Sequence, residues 1–455
     1  MKKYLFLLIV IFLLSACATG DIETEDITDD KNEYIDLDGY TFKFRYTEGE
    51  HGSFKPLEGE TIIGDNTLQR YKEIETNFNC IINLEPYDHT KFRSAVMTGD
   101  TYADLVYLNI TNIYDLYGDK LLYCLDDIEG MDFSTNKFGY PNMIDAAAVN
   151  GHRYGFFPLY WGMPTAGFRN VLYFNNENLK TFNQPLPHEL LEKEQWTWDN
   201  FEEMCKAVTT KSSNPEEDTY AVGMTTAYVF LHSAVASNGV TYVNTDENGF
   251  YKENLTDPRI IQALQWTVDL NKKGYFEDTK DWWQKSQDGF IAGRYSFLPE
   301  YAWLGLIRTE YFLTVKMEKE FGWAPFPVGP EGTFGDWGTN ITWENYYMAF
   351  PSSIDTAIVI PVINYMFEPF TGETTESWKG NLLRMSFFEE DSLKYYLEML
   401  QSAKFDYSIM LQQSSSIPLL NLYGNILKGT KTPLEALVPY KEKVQKELDK
   451  WNNLE

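Results

Sequence analysis

The side chains best suited to chemistry are aromatic rings placed beside a carboxylate, directly after apolar strand-like segments. Glu300, Tyr301 and Trp303 follow "RYSFL", and Tyr160 and Trp161 follow "FFPL". A ring with a polar edge stacks on an apolar ligand face while its hydroxyl or N–H makes a hydrogen bond. These residue types indicate a surface that binds a small molecule, and core packing of the same rings is the alternative.

The N-terminal segment places a cysteine, Cys17, at the end of an apolar run. Lys2 and Lys3 precede the run from Tyr4 to Leu14, which is shorter than the roughly 20 residues a helix needs to cross a bilayer. A basic start, a short apolar core and small residues at its end are typical of a secretory signal peptide. The segment "LSAC" resembles the lipobox of bacterial lipoproteins, which implies a signal peptide of residues 1–16 and lipidation of the Cys17 sulfur. An ordinary signal peptide beside a chance cysteine is the alternative.

The charge of the chain is strongly acidic. It carries 38 Lys and Arg against 67 Asp and Glu, a net charge of -29, which would repel a nucleic-acid backbone and excludes nucleic acid as a partner. Residues 17–38 are rich in acidic and poor in aromatic side chains, so we predict a disordered tether there.

Catalytic and metal-binding motifs are absent from the sequence. It has no G-x-S-x-G, P-loop, HExxH or C-x-x-C spacing to place a nucleophile, a phosphate or a metal ion. With so many acidic residues, a carboxylate pair suited to glycoside hydrolysis arises by chance. We therefore predict no enzyme activity, no cofactor and no metal. We expect Cys80, Cys124 and Cys205 to be buried free thiols, with a Cys80–Cys124 disulfide as the alternative.

The predicted elements that position these residues alternate along the chain. The segments "YTFKFRY", "CIINLEPYD" and "ADLVYL" predict strands, while "NTLQRYKEIETNF" and "TKFRSAVMTGD" predict helices between them. Later helices are predicted to begin at Thr197 or Asp199 and at Asp257, and a capping box of Thr432 and Glu435 begins one continuous helix, "TPLEALVPYKEKVQKELDKW". This order predicts an α/β fold with parallel-rich sheets and helices on both faces, in a chain long enough for two or three domains.

An ordered series of weak motifs resembles the extracellular solute-binding proteins of bacterial ABC importers, the carbohydrate-type family that includes maltose-binding protein. The motifs span about residues 40 to 452 and are "LQRYKEIETNFNCIINLE", "SAVMTGDTYADLVYL", "VNGHRYGFFPLYWG", "NVLYFNNENL", "WTWDNFEEMCKAVT", "DGFIAGRYSFLPEYAW" and "FGWAPFPVGPEG". The resemblance implies a two-lobe periplasmic-binding-protein-like fold (type II), with a hinge and a ligand crevice between the lobes. Lobe 1 would hold 39–168 and about 326–390, and lobe 2 would hold 169–325 and about 391–455.

The resemblance also implies a set of ligand-binding residues and a role. The predicted ligand-binding residues are Glu48, Glu50, Thr111, Asn112, Tyr160, Trp161, Glu300, Tyr301, Trp303 and Trp343. For the first four, exposure in a turn is an equally good explanation. For Glu300 the alternative is a solvated loop acid. The role would be that of a monomeric lipoprotein on the outer face of the cell membrane, which captures a sugar or oligosaccharide and delivers it to an ABC permease. A sensing or adhesive surface lipoprotein of the same fold and, less favoured, a lipid-anchored glycan-active enzyme are the alternatives.

Overall fold

The computed structural model describes most of the chain beyond the N-terminal segment. The described residues are 34–47, 54–59, 62–158, 167–224, 226–247, 249–277, 282–306, 320–342, 345–380, 387–408 and 419–453. Six of the predicted functional residues lie outside them: Cys17, Glu48, Glu50, Tyr160, Trp161 and Trp343. Ile35–Glu455 form one compact unit. Among the described residues, no helix combines the length and the apolar character needed to cross a bilayer.

Strands and helices alternate through the described chain. The strands are β1 Tyr40–Tyr46, β2 Cys80–Pro86, β3 Leu105–Asn109, β4 Ala148–Val149, β5 His152–Arg153, β6 Phe168–Arg169, β7 Val171–Asn175, β8 Tyr220–Val222, β9 Val243–Thr245, β10 Tyr251–Glu253, β11 Tyr295–Glu300, β12 Phe321–Pro325, β13 Asn340–Ile341, β14 Tyr346–Ala349 and β15 Lys404–Phe405. The α-helices are α1 Ile62–Asn77, α2 His89–Thr98, α3 Ile110–Gly118, α4 Pro141–Asp145, α5 Asn176–Thr181, α6 Pro187–Leu191, α7 Trp198–Val208, α8 Ala227–Ser237, α9 Pro258–Lys272, α10 Trp282–Ile291, α11 Thr356–Met366, α12 Glu390–Ser402, α13 Leu419–Leu427, α14 Pro433–Leu437 and α15 Lys441–Asn452.

The first sheet confirms the predicted βαβαβ order. Strand β1 pairs in parallel with β2 and β3, and β14 returns antiparallel to β3. Phe42 and Phe44 of β1 are fully buried, as expected for a sheet covered by helices. Helix α1 is joined to α11 by Arg70, which donates to the carbonyl oxygens of Tyr365 at 2.6 Å and Glu368 at 2.8 Å.

The second sheet has the order β12-β7-β11-β8, with β7 antiparallel to both β11 and β12 and with β8 parallel to β11. Every residue of β7, β11 and β12 is buried. Helix α8 beside them is also buried at every position, because an apolar helix needs cover on all sides. This sheet therefore provides a rigid base for the loop that follows β11.

A small third sheet gathers three distant parts of the chain. Strand β13 pairs antiparallel with β6 and in parallel with β15. Strand β6 begins at residue 168, where the sequence predicts the first crossing between lobes. The lobe boundaries themselves stay a prediction.

The helix caps agree with the sequence, whereas the C-terminal helix does not. Thr197 and Asp257 are N-caps, and Thr432 and Glu435 form the expected capping box. The prediction of one continuous C-terminal helix is wrong, because α14 ends at Leu437 and a 3-10 turn separates it from α15. The proline at position 439 explains the break, since it lacks the N–H that an α-helix needs.

The described cysteines are all free thiols, so the alternative of a Cys80–Cys124 disulfide is wrong. Cys80 and Cys205 are buried as expected. Cys124 is only partly buried, because it lies on an irregular segment at the surface rather than inside a strand.

Candidate functional site

The loop that follows β11 carries three of the predicted ligand-binding residues. Glu300 is the last residue of the strand, Tyr301 follows it, and Trp303 lies in the 3-10 helix Ala302–Gly305. The hydroxyl of Tyr173, on the neighbouring strand β7, donates to the carbonyl oxygen of Tyr301 and accepts from the N–H of Gly305, both at 2.9 Å. One buried hydroxyl therefore fixes both ends of the turn.

Gly305 closes this turn because no larger residue fits. A Cβ atom at this position would lie 2.2 Å from Cζ2 of Trp323 and 2.7 Å from Cε1 of Tyr173. The backbone thus packs directly against two buried rings, and the loop has little freedom to shift.

Tyr301 and Trp303 form a pair of partly exposed rings on this loop. Their centroids lie 6.3 Å apart with an angle of 24° between the ring planes, and both rings rest on the main hydrophobic core. A nearly parallel, partly exposed pair on a rigid base has the shape and chemistry needed to receive the apolar face of a ligand.

Glu300 lies in a buried environment rather than in a solvated loop. Its side chain is fully buried, and Oε2 accepts from the N–H of Tyr301 at 2.9 Å. The alternative of a solvated loop acid is wrong, because β11 extends through Glu300 and carries its carboxylate into the protein. In this structure the carboxylate supports the loop backbone.

A buried cation, Arg169 of β6, lies beside the aromatic pair. Its guanidinium carbon is 5.9 Å from the centre of the Tyr301 ring and 4.9 Å from that of Tyr228, and Nη1 hydrogen-bonds to the Tyr228 hydroxyl. Nε and Nη2 have no hydrogen-bond partner within the described part of the chain. The faces of the Tyr228 and Tyr301 rings therefore offset much of the free-energy cost of burying this permanent positive charge.

A buried acid and histidine complete the polar network around Arg169. Nε2 of His232, on α8, lies 2.5 Å from Oδ2 of Asp406, directly after β15, and Ser408 Oγ donates to the same oxygen at 2.7 Å. Burial alone would raise the pKa of Asp406, but His232, Arg169 and the Ser408 hydrogen bond lower it to about 2. Burial lowers the pKa of His232, so the neutral imidazole donates Nε2–H to a charged carboxylate.

Thr111 and Asn112 lie elsewhere, in the first turn of α3 directly after β3. Asn109 caps this helix, and its Oδ1 accepts from the N–H of Thr111 at 2.9 Å and from its hydroxyl at 2.6 Å. Both residues are partly exposed and lie in a helix rather than in a turn, and their part in ligand binding stays a prediction. The Thr111 hydroxyl already has a local partner.

The sequence did not single out Arg169, Tyr228, His232 or Asp406 as members of a site. A charged residue directly before the apolar segment "NVLYF", and a histidine inside an apolar helix, were the available signals. Trp337, in the Gly-rich segment before β13, is buried and packs edge-on against Tyr395, so it belongs to the core.

Comparison with known protein families agrees with the resemblance found in the sequence. Residues 69–335 match the profile of a family described as "Bacterial extracellular solute-binding protein", which is more than half of the chain. No protein of curated function matches the sequence significantly.

Several solved structures share the fold. The sugar-binding protein MalE from the phytopathogen Xanthomonas citri has a TM-score of 0.63 at 15% identity, over 90% of this chain and 98% of its own. The GacH receptor of Streptomyces glaucescens, solved unliganded and with acarbose and an acarbose homolog, has a TM-score of 0.57 at 14% identity, over 90% and 99%. UgpB from Mycobacterium tuberculosis, in complex with glycerophosphocholine, has a TM-score of 0.58 at 16% identity, over 90% and 100%. The predicted fold class is confirmed.

Proposed function

The chain belongs to the bacterial extracellular solute-binding proteins, and from that premise we propose that it captures a sugar or oligosaccharide and delivers it to an ABC permease. The observation that carries the proposal is the pair of partly exposed rings, Tyr301 and Trp303, on a loop fixed by Tyr173. A sugar offers apolar C–H faces to such rings and hydroxyls to polar neighbours. The structural likeness to MalE, and to GacH with bound acarbose, supports a carbohydrate ligand.

In the proposed mechanism the solute binds between two lobes and holds them closed. A ligand that contacts both lobes binds the closed state more tightly than the open state, which is the condition for shifting the equilibrium between them. The hinge of this proposal is the sheet of β6, β13 and β15, where three distant chain segments meet in two-residue strands. Trp343 is proposed to supply a second aromatic wall opposite Trp303.

The proposed location is the outer face of the cell membrane, with the mature chain held by lipid on Cys17. Lipidation with a diacylglyceryl group gives stable attachment, because each buried CH₂ contributes about 0.8 kcal/mol and a single acyl chain binds only marginally. The acidic residues 17–38 would then act as a tether between the lipid and the folded unit.

The test combines a ligand screen with one ring substitution. Thermal denaturation against mono- and oligosaccharides should identify a stabilising sugar, since a ligand at 100 times its Kd adds about 2.7 kcal/mol to the free energy of unfolding. Trp303→Ala should then weaken binding of that sugar by about 2 kcal/mol, or roughly 30-fold. The melting temperature of the ligand-free variant should change little, because the ring is only partly buried.

The matched control is a buried tryptophan that does not contact this loop. Trp198 of α7 is 3% exposed and stacks on Trp266 of α9, and Trp198→Ala should cost about 3–5 kcal/mol of folding free energy while leaving the affinity of the folded fraction close to wild type. The proposal is refuted if no sugar stabilises the protein, or if Trp303→Ala binds as tightly as the wild type.

A further inference from the structure

Three potential metal ligands meet at the surface, on segments that the proposed solute site does not use. Cys124 and Asp126 lie at the 3-10 turn Leu125–Asp127, and His152 begins β5, which pairs with β4. One ligand atom from each of these three residues lies within 4.8 Å of the others. Oδ2 of Asp126 is 3.9 Å from the Cys124 sulfur and 3.5 Å from Nδ1 of His152.

These separations are close to those of a tetrahedral zinc site. With Zn–S near 2.3 Å and Zn–O and Zn–N near 2.0 Å, tetrahedral angles place the sulfur and oxygen about 3.5 Å apart and the nitrogen and oxygen about 3.3 Å apart. These two observed distances exceed the tetrahedral values by a few tenths of an ångström, and all three ligand atoms lie within 4.8 Å of one another, so side-chain rotations would bring them around one ion.

The backbone already orients the central ligand. The N–H of Arg153 donates to Oδ2 of Asp126 at 3.1 Å, which fixes the carboxylate beside the histidine. Hydrogen bonds of this kind to a ligating carboxylate are a common part of metal sites. Arg153 directs its own charge away to Asp145, with Nε 3.0 Å from Oδ1.

The cluster opens into a surface groove of about 620 Å³. Cys124, His152, Asp127 and Tyr154 line this groove, and the His152 side chain is 61% exposed. An ion held by the three side chains would therefore keep a position open to water or to a further ligand. Three protein ligands with one open position are the arrangement of zinc sites that exchange a fourth ligand.

We propose that Cys124, Asp126 and His152 bind one thiophilic divalent cation, with Zn²⁺ the ion that best fits this ligand set. A thiolate, an imidazole and a carboxylate favour Zn²⁺ over Mg²⁺ or Ca²⁺, which prefer oxygen ligands only. On binding, a sulfur–metal bond forms and the thiol proton passes to solvent, because a coordinating cysteine is deprotonated. The sequence shows no short metal-binding spacing for this site because residues 125–151 separate Cys124 from His152.

The experiment uses Co²⁺ as a spectroscopic substitute for Zn²⁺ in the reduced, metal-free full chain. One equivalent of Co²⁺ should produce a thiolate-to-cobalt charge-transfer band in the near ultraviolet, and Zn²⁺ should displace it. Cys124→Ser should abolish the band although Cys17, Cys80 and Cys205 remain, and His152→Ala should weaken Co²⁺ binding by about tenfold or more. Circular dichroism checks that each variant is folded.

The matched control is His89→Ala. His89 forms a similar surface pair with a carboxylate, its Nε2 lying 3.2 Å from Oδ2 of Asp115. Among the described residues, no cysteine joins that pair to form a group of three ligands. This variant should bind Co²⁺ as the wild type does. A wild-type titration without the band, or a band that survives in Cys124→Ser, would overturn the proposal.

Discussion

Asp406→Asn should destabilise the protein strongly and should change how its stability depends on pH. The carboxylate is 1% exposed and lies between His232, at 2.5 Å, and the buried cation Arg169. Asparagine keeps the size of the side chain and removes its charge. The substitution therefore tests the electrostatic role of the network without creating a cavity.

The magnitude follows from the pKa of Asp406. Its value falls from the usual 3.8 to about 2, because His232, Arg169 and the Ser408 hydroxyl outweigh the effect of burial. At about 1.4 kcal/mol per pKa unit, the charged form contributes roughly 2 kcal/mol at neutral pH. The variant also leaves Arg169 without its buried counter-charge, so the total loss should reach about 3–5 kcal/mol.

The sign of the pH dependence is fixed by the direction of each shift. Because the pKa of Asp406 is lower in the folded state, its stabilisation is complete above about pH 4 and is lost as the pH falls towards 2. The pKa of His232 is also lowered, primarily by burial, so its contribution is complete above about pH 6.5 and is lost below it. Both groups therefore weaken the fold on acidification.

The assay is urea denaturation of the wild type and of Asp406→Asn between pH 7 and pH 2. The difference in unfolding free energy should be largest at pH 7 and should shrink between about pH 4 and pH 2, where the wild-type carboxylate becomes protonated. Asp391→Asn, an exposed acid in the first turn of α12, is the control and should cost little. A difference below 1 kcal/mol at pH 7, or one that does not vary with pH, would refute the role assigned to the network.

Four further predictions concern the loop, a cap, closure and the anchor. Gly305→Ala should lower the melting temperature and weaken sugar binding, because its Cβ would lie 2.2 Å from the Trp323 ring; unchanged binding would contradict the rigid loop. Asn109→Ala should cost about 1 kcal/mol in urea denaturation, since it removes the N-cap of α3. Small-angle scattering at saturating sugar should give a smaller radius of gyration than without sugar, and equal values would argue against lobe closure. Cys17→Ser should release the protein into the medium or leave an unprocessed precursor, and lipid labelling of the variant would disprove the anchor.

The amino-acid sequence alone is sufficient to predict the elements whose signals are local. Alternating periods indicated β1 to β3 and the helices between them, and the N-caps at Thr197 and Asp257 follow from residues a few positions apart. The ordered motifs also indicate the family, and the position of Glu300, Tyr301 and Trp303 at the end of a predicted strand indicates their loop. These features depend on backbone dihedral preferences and on short hydrogen bonds, which neighbouring residues are sufficient to specify.

Which distant residues act together depends on the packing of the folded chain. Arg169, His232 and Asp406 come from β6, α8 and the end of β15, and no spacing in the sequence connects them. The same holds for Cys124 and His152, which the pairing of β4 with β5 brings to the surface beside Asp126. The burial of Glu300 was likewise set by the packing of β11 against β7. Side-chain charge and hydrogen bonding act over a few ångströms in space, so their partners are fixed by strand pairing and helix packing rather than by distance along the chain.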